Sequence, residues 1–163
     1  GMSVRVAVLT VSDQGTAGLR NDTSGDTIAD WVEQRGYQLS GKEIVPDDTD
    51  LIAAVLVRWA DDGIADLIVT TGGTGLGPRD VTPEATRAIL EREAPGIAEA
   101  LRAGGRVNTL YSALSRGVAG TRGGTLIVNL PGSTSAVRDG ITTLSPIIEH
   151  AVRVLRQEPT GHS

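Results

Sequence analysis

The chain has 163 residues and a net charge of -5, with 39% hydrophobic residues but only 2% aromatics, no phenylalanine and no cysteine. Acidity and scarce aromatics argue against a nucleic acid polymer as partner, and the missing cysteine excludes disulfides, thiolate catalysis and Cys-based metal sites. No run reaches the roughly 20 apolar residues of a membrane helix, and no signal-peptide pattern opens the chain, so a cytoplasmic protein without membrane contact is expected.

The length suits one domain over residues 3–157 with a Val/Ile/Leu/Ala core, followed by a mobile tail at 158–163. Gly1 ahead of Met2 reads as a cleaved-tag remnant. Residues 4–10 (VRVAVLT) form an apolar, β-branched run ending in SDQG and predict a first strand. A loop over 14–25 follows, then a helix on which Ile28, Trp31 and Val32 recur at helical spacing until Gly36. Residues 39–45 read as a second, peripheral strand closed by Pro46. Thr49 or Asp48 then caps a helix carrying Leu51, Ile52, Val55, Leu56 and Trp59.

Residues 66–71 (DLIVTT) are strongly strand-like and run straight into a glycine loop. The stretch 70–86, TTGGTGLGPRDVTPEAT, packs four glycines into six residues, adds Arg79 and Asp80, and restarts a helix at Thr82-Pro83. There the threonine hydroxyl is read as the cap and proline as the first helical residue, with the helix reaching about Glu93. Residues 96–120 are read as helical or irregular. Residues 125–130 (TLIVNL) form another buried strand ending in PGS. Two helices close the chain at 134–144 and 146–156, the second capped by Ser145 before Pro146. This order predicts an α/β fold, a three-layer, doubly wound, mostly parallel sheet with helices on both faces and right-handed crossovers.

Ligands of such sheets bind beyond the carboxyl ends of the strands, and three strands here end in SDQG, GGTGLGPRD and PGSTS, all suited to one rim. Glycine lets the backbone approach a ligand closely, and a helix starting at Thr82 offers free N–H groups and its positive end, so the loop suits phosphate. A long strand-to-helix turn uses glycine too. The loop is neither the GxxxxGK[ST] phosphate loop nor the GxGxxG dinucleotide fingerprint. The one partial match, GYQLSGKE at 36–43, has Glu43 where Ser or Thr is required and lies between a helix and a strand, the reverse order.

With no lysine at the loop, charge compensation falls to magnesium held by carboxylates, for which Asp47 and Asp80 stand next to the strand ends. Taken singly, each is more commonly a cap or turn residue. Asp48, Asp50, Asp61 and Asp62 read as caps and solvated surface. His150 and His162 read as surface or structural, which leaves no histidine triad or metal cluster.

The glycine stretch, preceded by VPDD and followed by LSRGVAG and VNLPGS, resembles the MogA/MoaB family of molybdenum-cofactor biosynthesis over about residues 4–155. The resemblance implies a molybdopterin-binding fold, usually trimeric, and adenylyl transfer from Mg-ATP to the molybdopterin phosphate with loss of pyrophosphate. It further implies hand-over of the product to a molybdate-inserting protein. By position it implies Asp47 and Asp80 as magnesium or catalytic residues, Gly72, Gly73, Thr74 and Gly75 as the nucleotide-phosphate loop, and Ser115 at the pterin site. Ser12 and Asp13 match the segment after the first strand, and Pro131, Gly132 and Ser133 the loop after the last. The family commonly has proline two positions after the glycine of that last loop, where this chain has Thr134. It also includes paralogues with little or no transferase activity. A catalytically weak molybdopterin-binding or scaffold paralogue is therefore a second reading, and a nucleotide-cleaving enzyme a third.

Overall fold

The computed structural model describes residues 2–159. Gly1 and residues 160–163, with the tag reading, His162 and most of the expected tail, lie outside the described residues. In chain order the elements are β1 (Arg5–Val11), α1 (Asp13–Thr16), α2 (Thr23–Gln34), β2 (Gln38–Val45), α3 (Thr49–Asp61), β3 (Leu67–Thr71) and α4 (Thr82–Ile89). They continue as β4 (Arg92–Glu93), α5 (Pro95–Arg106), a 3-10 turn at Leu110–Leu114, β5 (Ala119–Arg122), β6 (Thr125–Leu130), α6 (Thr134–Leu144) and α7 (Ile148–Leu155). The strands form one six-stranded sheet in the order β2-β1-β3-β6-β5-β4.

Strands β2, β1, β3 and β6 are parallel, and β5 and β4 add an antiparallel edge. The three inner parallel strands are buried on both faces, which is why they read as continuous apolar runs rather than alternating ones. The period of two still sorts their side chains. Val6, Val8, Leu67, Val69 and Val128 face Ile28, Trp31, Val137, Leu144 and Ile148 of α2, α6 and α7. Ala7, Leu9, Ile68 and Ile127 face Ile52, Leu56, Trp59, Ala85 and Ile89 of α3 and α4. Helices thus cover both faces, as expected. Among the described residues no helix is long and apolar enough to cross a membrane.

The register sets the site. Thr10 lies opposite Thr71, Thr71 opposite Leu130, and Val11 opposite Val45. The four parallel strands therefore end at one level, and the segments after them emerge on a single rim.

Several local expectations fail. Residues 96–120 hold most of α5 and the 3-10 turn, in line with a helical or irregular reading, but end in the start of β5. Helix α4 stops at Ile89, short of Glu93, because Arg92–Glu93 extends to pair with β5. Thr82 is not a cap: it is fully buried, Val81 precedes the helix without a side-chain cap, and the Thr82 hydroxyl donates to the Gly72 carbonyl at 2.9 Å. Ser145 ends α6 instead of starting α7, donating to the Ile141 carbonyl at 2.7 Å and accepting from Trp31 Nε1 at 3.0 Å. The expected loop at 14–25 contains most of α1 and the start of α2, which Asp22 caps by accepting from the Gly25 N–H at 3.0 Å.

Candidate active site

Two cavities open on the rim. The first, of about 430 Å³, has an apolar wall from Leu101, Leu114, Leu130 and Ala136, with Ser115 and Asp139 among its polar groups. The second, of about 620 Å³, is polar and bordered by Ser12, Asp13, Arg20, Asp22 and Asp47. They meet along a seam: Gly73, Asp80, Gly132 and Ser133 line both. Of the other candidate residues, Gly72, Ser12, Asp13 and Asp47 border the second cavity, while Thr74, Gly75, Ser115 and Pro131 border the first.

The glycine loop achieves this by packing backbone against backbone. Gly72 and Gly73 have φ of 99° and 69°, where side chains are strained. A Cβ on Gly72 would collide with the Val11 carbonyl, and one on Gly73 with the Thr82 hydroxyl while lying 3.1 Å from Asp47 Oδ1. The loop after β6 is equally close, since a Cβ on Gly132 would lie 3.3 Å from Gly72 Cα. The Pro131 carbonyl accepts from the Thr71 hydroxyl at 2.8 Å, fixing that loop to the end of β3.

Asp13 and Asp47 join the loops after β1 and β2. The Asp47 N–H donates to Asp13 Oδ1 at 2.9 Å, and the Asp13 N–H to Asp47 Oδ2 at 3.1 Å. Arg79 grips the other side of Asp13 through Nε at 3.1 Å and Nη2 at 3.0 Å. The Asp47 N–H, opposed by partial burial but helped by Arg79, holds the Asp13 carboxyl below its ordinary range. Asp47 shifts the other way: burial pushes it up, the Asp13 N–H pulls it down, and the negative charges of Asp13 and Asp80 add to the rise. Asp47 is not the cap of α3, a role taken by Asp48, whose Oδ1 accepts from the Leu51 N–H at 3.0 Å.

Asp80 closes a turn, with Oδ2 accepting from the Gly77 N–H at 2.9 Å and its own N–H donating to the Gly77 carbonyl at 3.1 Å. Ser12 caps α1 and Ser133 caps α6, accepting from Gly15 N at 2.9 Å and Ala136 N at 3.2 Å. Ser115 ends the 3-10 turn, and its Oγ accepts a long 3.3 Å bond from the Gly117 N–H.

The expectation that α4 aims free N–H groups at an anion is wrong. The Thr82 N–H donates to the Gly73 carbonyl at 3.1 Å, Pro83 has none, and the Ala85 N–H donates to the Val81 carbonyl at 3.0 Å. No residue of α4 borders either cavity. Three helix starts face the second cavity, those of the short α1, through Asp13 and Gln14, of α2, through Thr23 and Ser24, and of α6, through Thr134. The last two, free of the Asp13 charge, are the ones suited to an anion.

Sequence reasoning missed Asp22, whose carboxylate accepts from the Thr10 hydroxyl at 2.9 Å and Lys42 Nζ at 3.2 Å at the edge of the second cavity. The signal was present, since Asp22 precedes a helix as a cap should. It also missed Asn129, fully buried, whose side-chain amide donates to Thr70 and Thr86 at 2.9 and 3.1 Å while its Oδ1 accepts from the Val118 N–H at 3.1 Å. No pattern in TLIVNL marked that role.

Among the described residues no three acidic, histidine or cysteine side chains form a ready cation cage. The donor set still fits magnesium, which binds through one or two carboxylates together with substrate phosphates. Asp47 and Asp80 supply two hard oxygen donors on one cavity, and Asp47 is pushed up first by burial and then by the charges of Asp13 and Asp80, of which a cation would offset the latter.

Fold and site define an α/β protein with two adjoining cavities beyond the strand ends. Residues 7–150 match the family described as "Probable molybdopterin binding domain". The chain belongs to it, within the MogA/MoaB family of molybdenum cofactor biosynthesis. It is 47% identical to the molybdopterin biosynthesis enzyme MoaB from Thermus thermophilus, with a TM-score of 0.89 over 96% of this chain and 98% of that one. It is 43% identical to the molybdenum cofactor synthesis protein cinnamon of Drosophila melanogaster over 94% of this chain but 26% of the fly protein. It is 36% identical to the molybdopterin adenylyltransferase of Helicobacter pylori, over 94% of this chain and 88% of that protein. The chain thus spans about a quarter to a half of several of the curated relatives it matches.

Proposed function

We propose that this chain transfers the adenylyl group of ATP to the phosphate of molybdopterin and releases pyrophosphate. The observation that carries the reading is the seam, because ligands held in two cavities that share Gly73, Asp80, Gly132 and Ser133 meet beside one carboxylate and one glycine loop. The apolar wall of the first cavity suits a flat pterin, with Ser115 and Asp139 to orient it. The polar second cavity takes the nucleotide, with the helix starts at Thr23 and Thr134 facing its phosphates. The Helicobacter relative, named a molybdopterin adenylyltransferase, supports the same chemistry.

In this reading a pterin phosphate oxygen attacks the α-phosphorus in line and pyrophosphate leaves, with no covalent intermediate on the protein. Asp47 and Asp80 would hold magnesium together with the phosphates, and the ion would supply charge neutralisation for the polyphosphate. The glycine loop admits the phosphates to the backbone, and the Asp13–Asp47 pair fixes Asp47 toward Gly73. Asp47 and Asp80 at one cavity favour an active transferase over a scaffold paralogue. A cytoplasmic trimer that hands its product to a molybdate-inserting protein completes the proposal, on the family resemblance alone.

Equilibrium dialysis with a non-hydrolysable ATP analogue, magnesium and molybdopterin tests the two-cavity arrangement. One nucleotide and one pterin should bind per chain at once. Mutually exclusive binding would contradict it.

A further inference from the structure

Arg116 borders neither cavity, yet its side chain and backbone bind the glycine loop at several points. Its backbone N–H donates to the Thr74 carbonyl at 2.8 Å. In its side chain, Nε donates to the Gly75 carbonyl at 2.8 Å and Nη2 to the Asp80 carbonyl at 2.7 Å, while Nη1 pairs with Glu84 at 2.7 Å. One guanidinium thus spans both ends of the segment that carries Asp80 and anchors it to the start of α4. Next to it, Ser115 lines the first cavity, and Arg102 donates to the Ser115 and Gly117 carbonyls at 3.3 and 3.0 Å.

We propose that Arg116 is a positioning residue for the adenylyl transfer, clamping the segment from Thr74 to Asp80 so that Asp80 stays at the seam while the adjacent Ser115 holds its place in the first cavity. The proposal rests on the transferase reading above. The purely structural alternative is a half-exposed ion pair with Glu84, of a kind that contributes little to stability. Only a planar fork reaches two carbonyls and a carboxylate together. A lysine ammonium, as a point charge, keeps the pairing with Glu84 but loses that span.

The test compares Arg116→Lys and Glu84→Gln with the parent in the full chain, by steady-state transfer kinetics and by amide hydrogen exchange. Arg116→Lys should lower kcat by roughly tenfold or more with both KM values within about threefold, the pattern of a lost transition-state geometry. Exchange at the Gly77 and Arg116 amides should accelerate by about tenfold as the loop loosens. Glu84→Gln, which leaves the carbonyl contacts in place, should stay within about threefold of the parent kcat. Parent-like kcat and exchange in Arg116→Lys overturn the proposal, and so does an equal loss in Glu84→Gln. Should Arg116→Lys fail to fold, the parent decides: Gly77 and Arg116 amides that exchange as fast as an unstructured chain overturn the clamp, and protected ones support it. A parent that transfers nothing overturns the underlying reading, whereas an active parent with an undiminished Arg116→Lys overturns this proposal alone.

Discussion

Asp13 and Asp47, from the ends of two neighbouring parallel strands, each accept the other's backbone N–H, at 2.9 and 3.1 Å. Two carboxylates are thereby held close at the mouth of the second cavity, and of the two it is Asp13 that the Arg79 guanidinium grips. The cost of this arrangement falls on Asp47, whose ionised form is disfavoured by burial and by its neighbours' charges, whereas Asp13 is stabilised by the Asp47 N–H and Arg79.

That cost has a testable sign. Burial and the charges of Asp13 and Asp80 raise Asp47 in the folded state despite the Asp13 N–H, so the native protein disfavours its ionised form. The stability it contributes is present at low pH and lost as pH rises through the raised value. Asp47→Asn keeps an acceptor for the Asp13 N–H and removes the charge. Thermal melting at neutral pH should show an unchanged or higher Tm, with any gain vanishing in acid. Transfer should fall by about 100-fold or more, a loss of about 3 kcal/mol of transition-state stabilisation. A lower Tm with a normal rate would reduce Asp47 to a structural residue.

Asp80→Asn likewise preserves the acceptor for the Gly77 N–H, so the turn should survive and Tm should move little. Transfer should again drop by about 100-fold or more. A purified variant that transfers at near the parent rate would remove Asp80 from the chemistry.

Ser115→Ala deletes a hydroxyl whose one bond among the described residues is the 3.3 Å contact from the Gly117 N–H. Pterin affinity should weaken by about 1 to 2 kcal/mol, the scale of one hydrogen bond, with ATP affinity nearly unchanged. Calorimetry that finds lost thermal stability and unaltered pterin binding would make Ser115 a turn residue only.

The inner strands and the rim were legible because they rest on runs such as VRVAVLT, DLIVTT and TLIVNL, whose burial on both faces leaves an unbroken apolar signature. The glycine loop was legible because close backbone packing leaves glycine no substitute. Strand β5 was not, because Ala119 and Gly120 have little strand propensity of their own, although Gly123-Gly124 before TLIVNL offered the two-residue turn that pairs Arg122 with Thr125. Thr82 misled for a different reason. Thr-Pro is a good local helix start, but burial against Gly72 redirects the hydroxyl. Arg79 and Arg116 look alike as loop arginines, and only the fold shows that one holds Asp13 and the other the glycine loop.

Far from the site, Asp66 just ahead of β3 tests the scaffold. Arg5 Nη2 and Arg156 Nη2 reach its buried carboxylate at 3.1 and 2.7 Å. Burial pushes the group up, but the hydrogen bonds from Arg5 and Arg156 outweigh it and leave the carboxyl below its ordinary range. A depressed value means stability that is present above the unfolded pKa of about 3.9 and lost as pH falls through the folded one. Because both arginines are partly exposed, Asp66→Asn should cost about 2 kcal/mol at neutral pH, between the values for surface and buried pairs. Urea denaturation should show the lower midpoint, with substrate KM values unchanged.

Pyrophosphate release, followed with the purified chain, ATP, magnesium and molybdopterin, separates the transferase from its alternatives. Release should require all three components and should match, mole for mole, the adenylylated pterin formed. Release of phosphate or pyrophosphate from ATP without pterin would point to a nucleotide-cleaving enzyme, and binding of both ligands with no release at all would make the chain a scaffold. Either result would contradict adenylyl transfer at the shared seam of the two cavities.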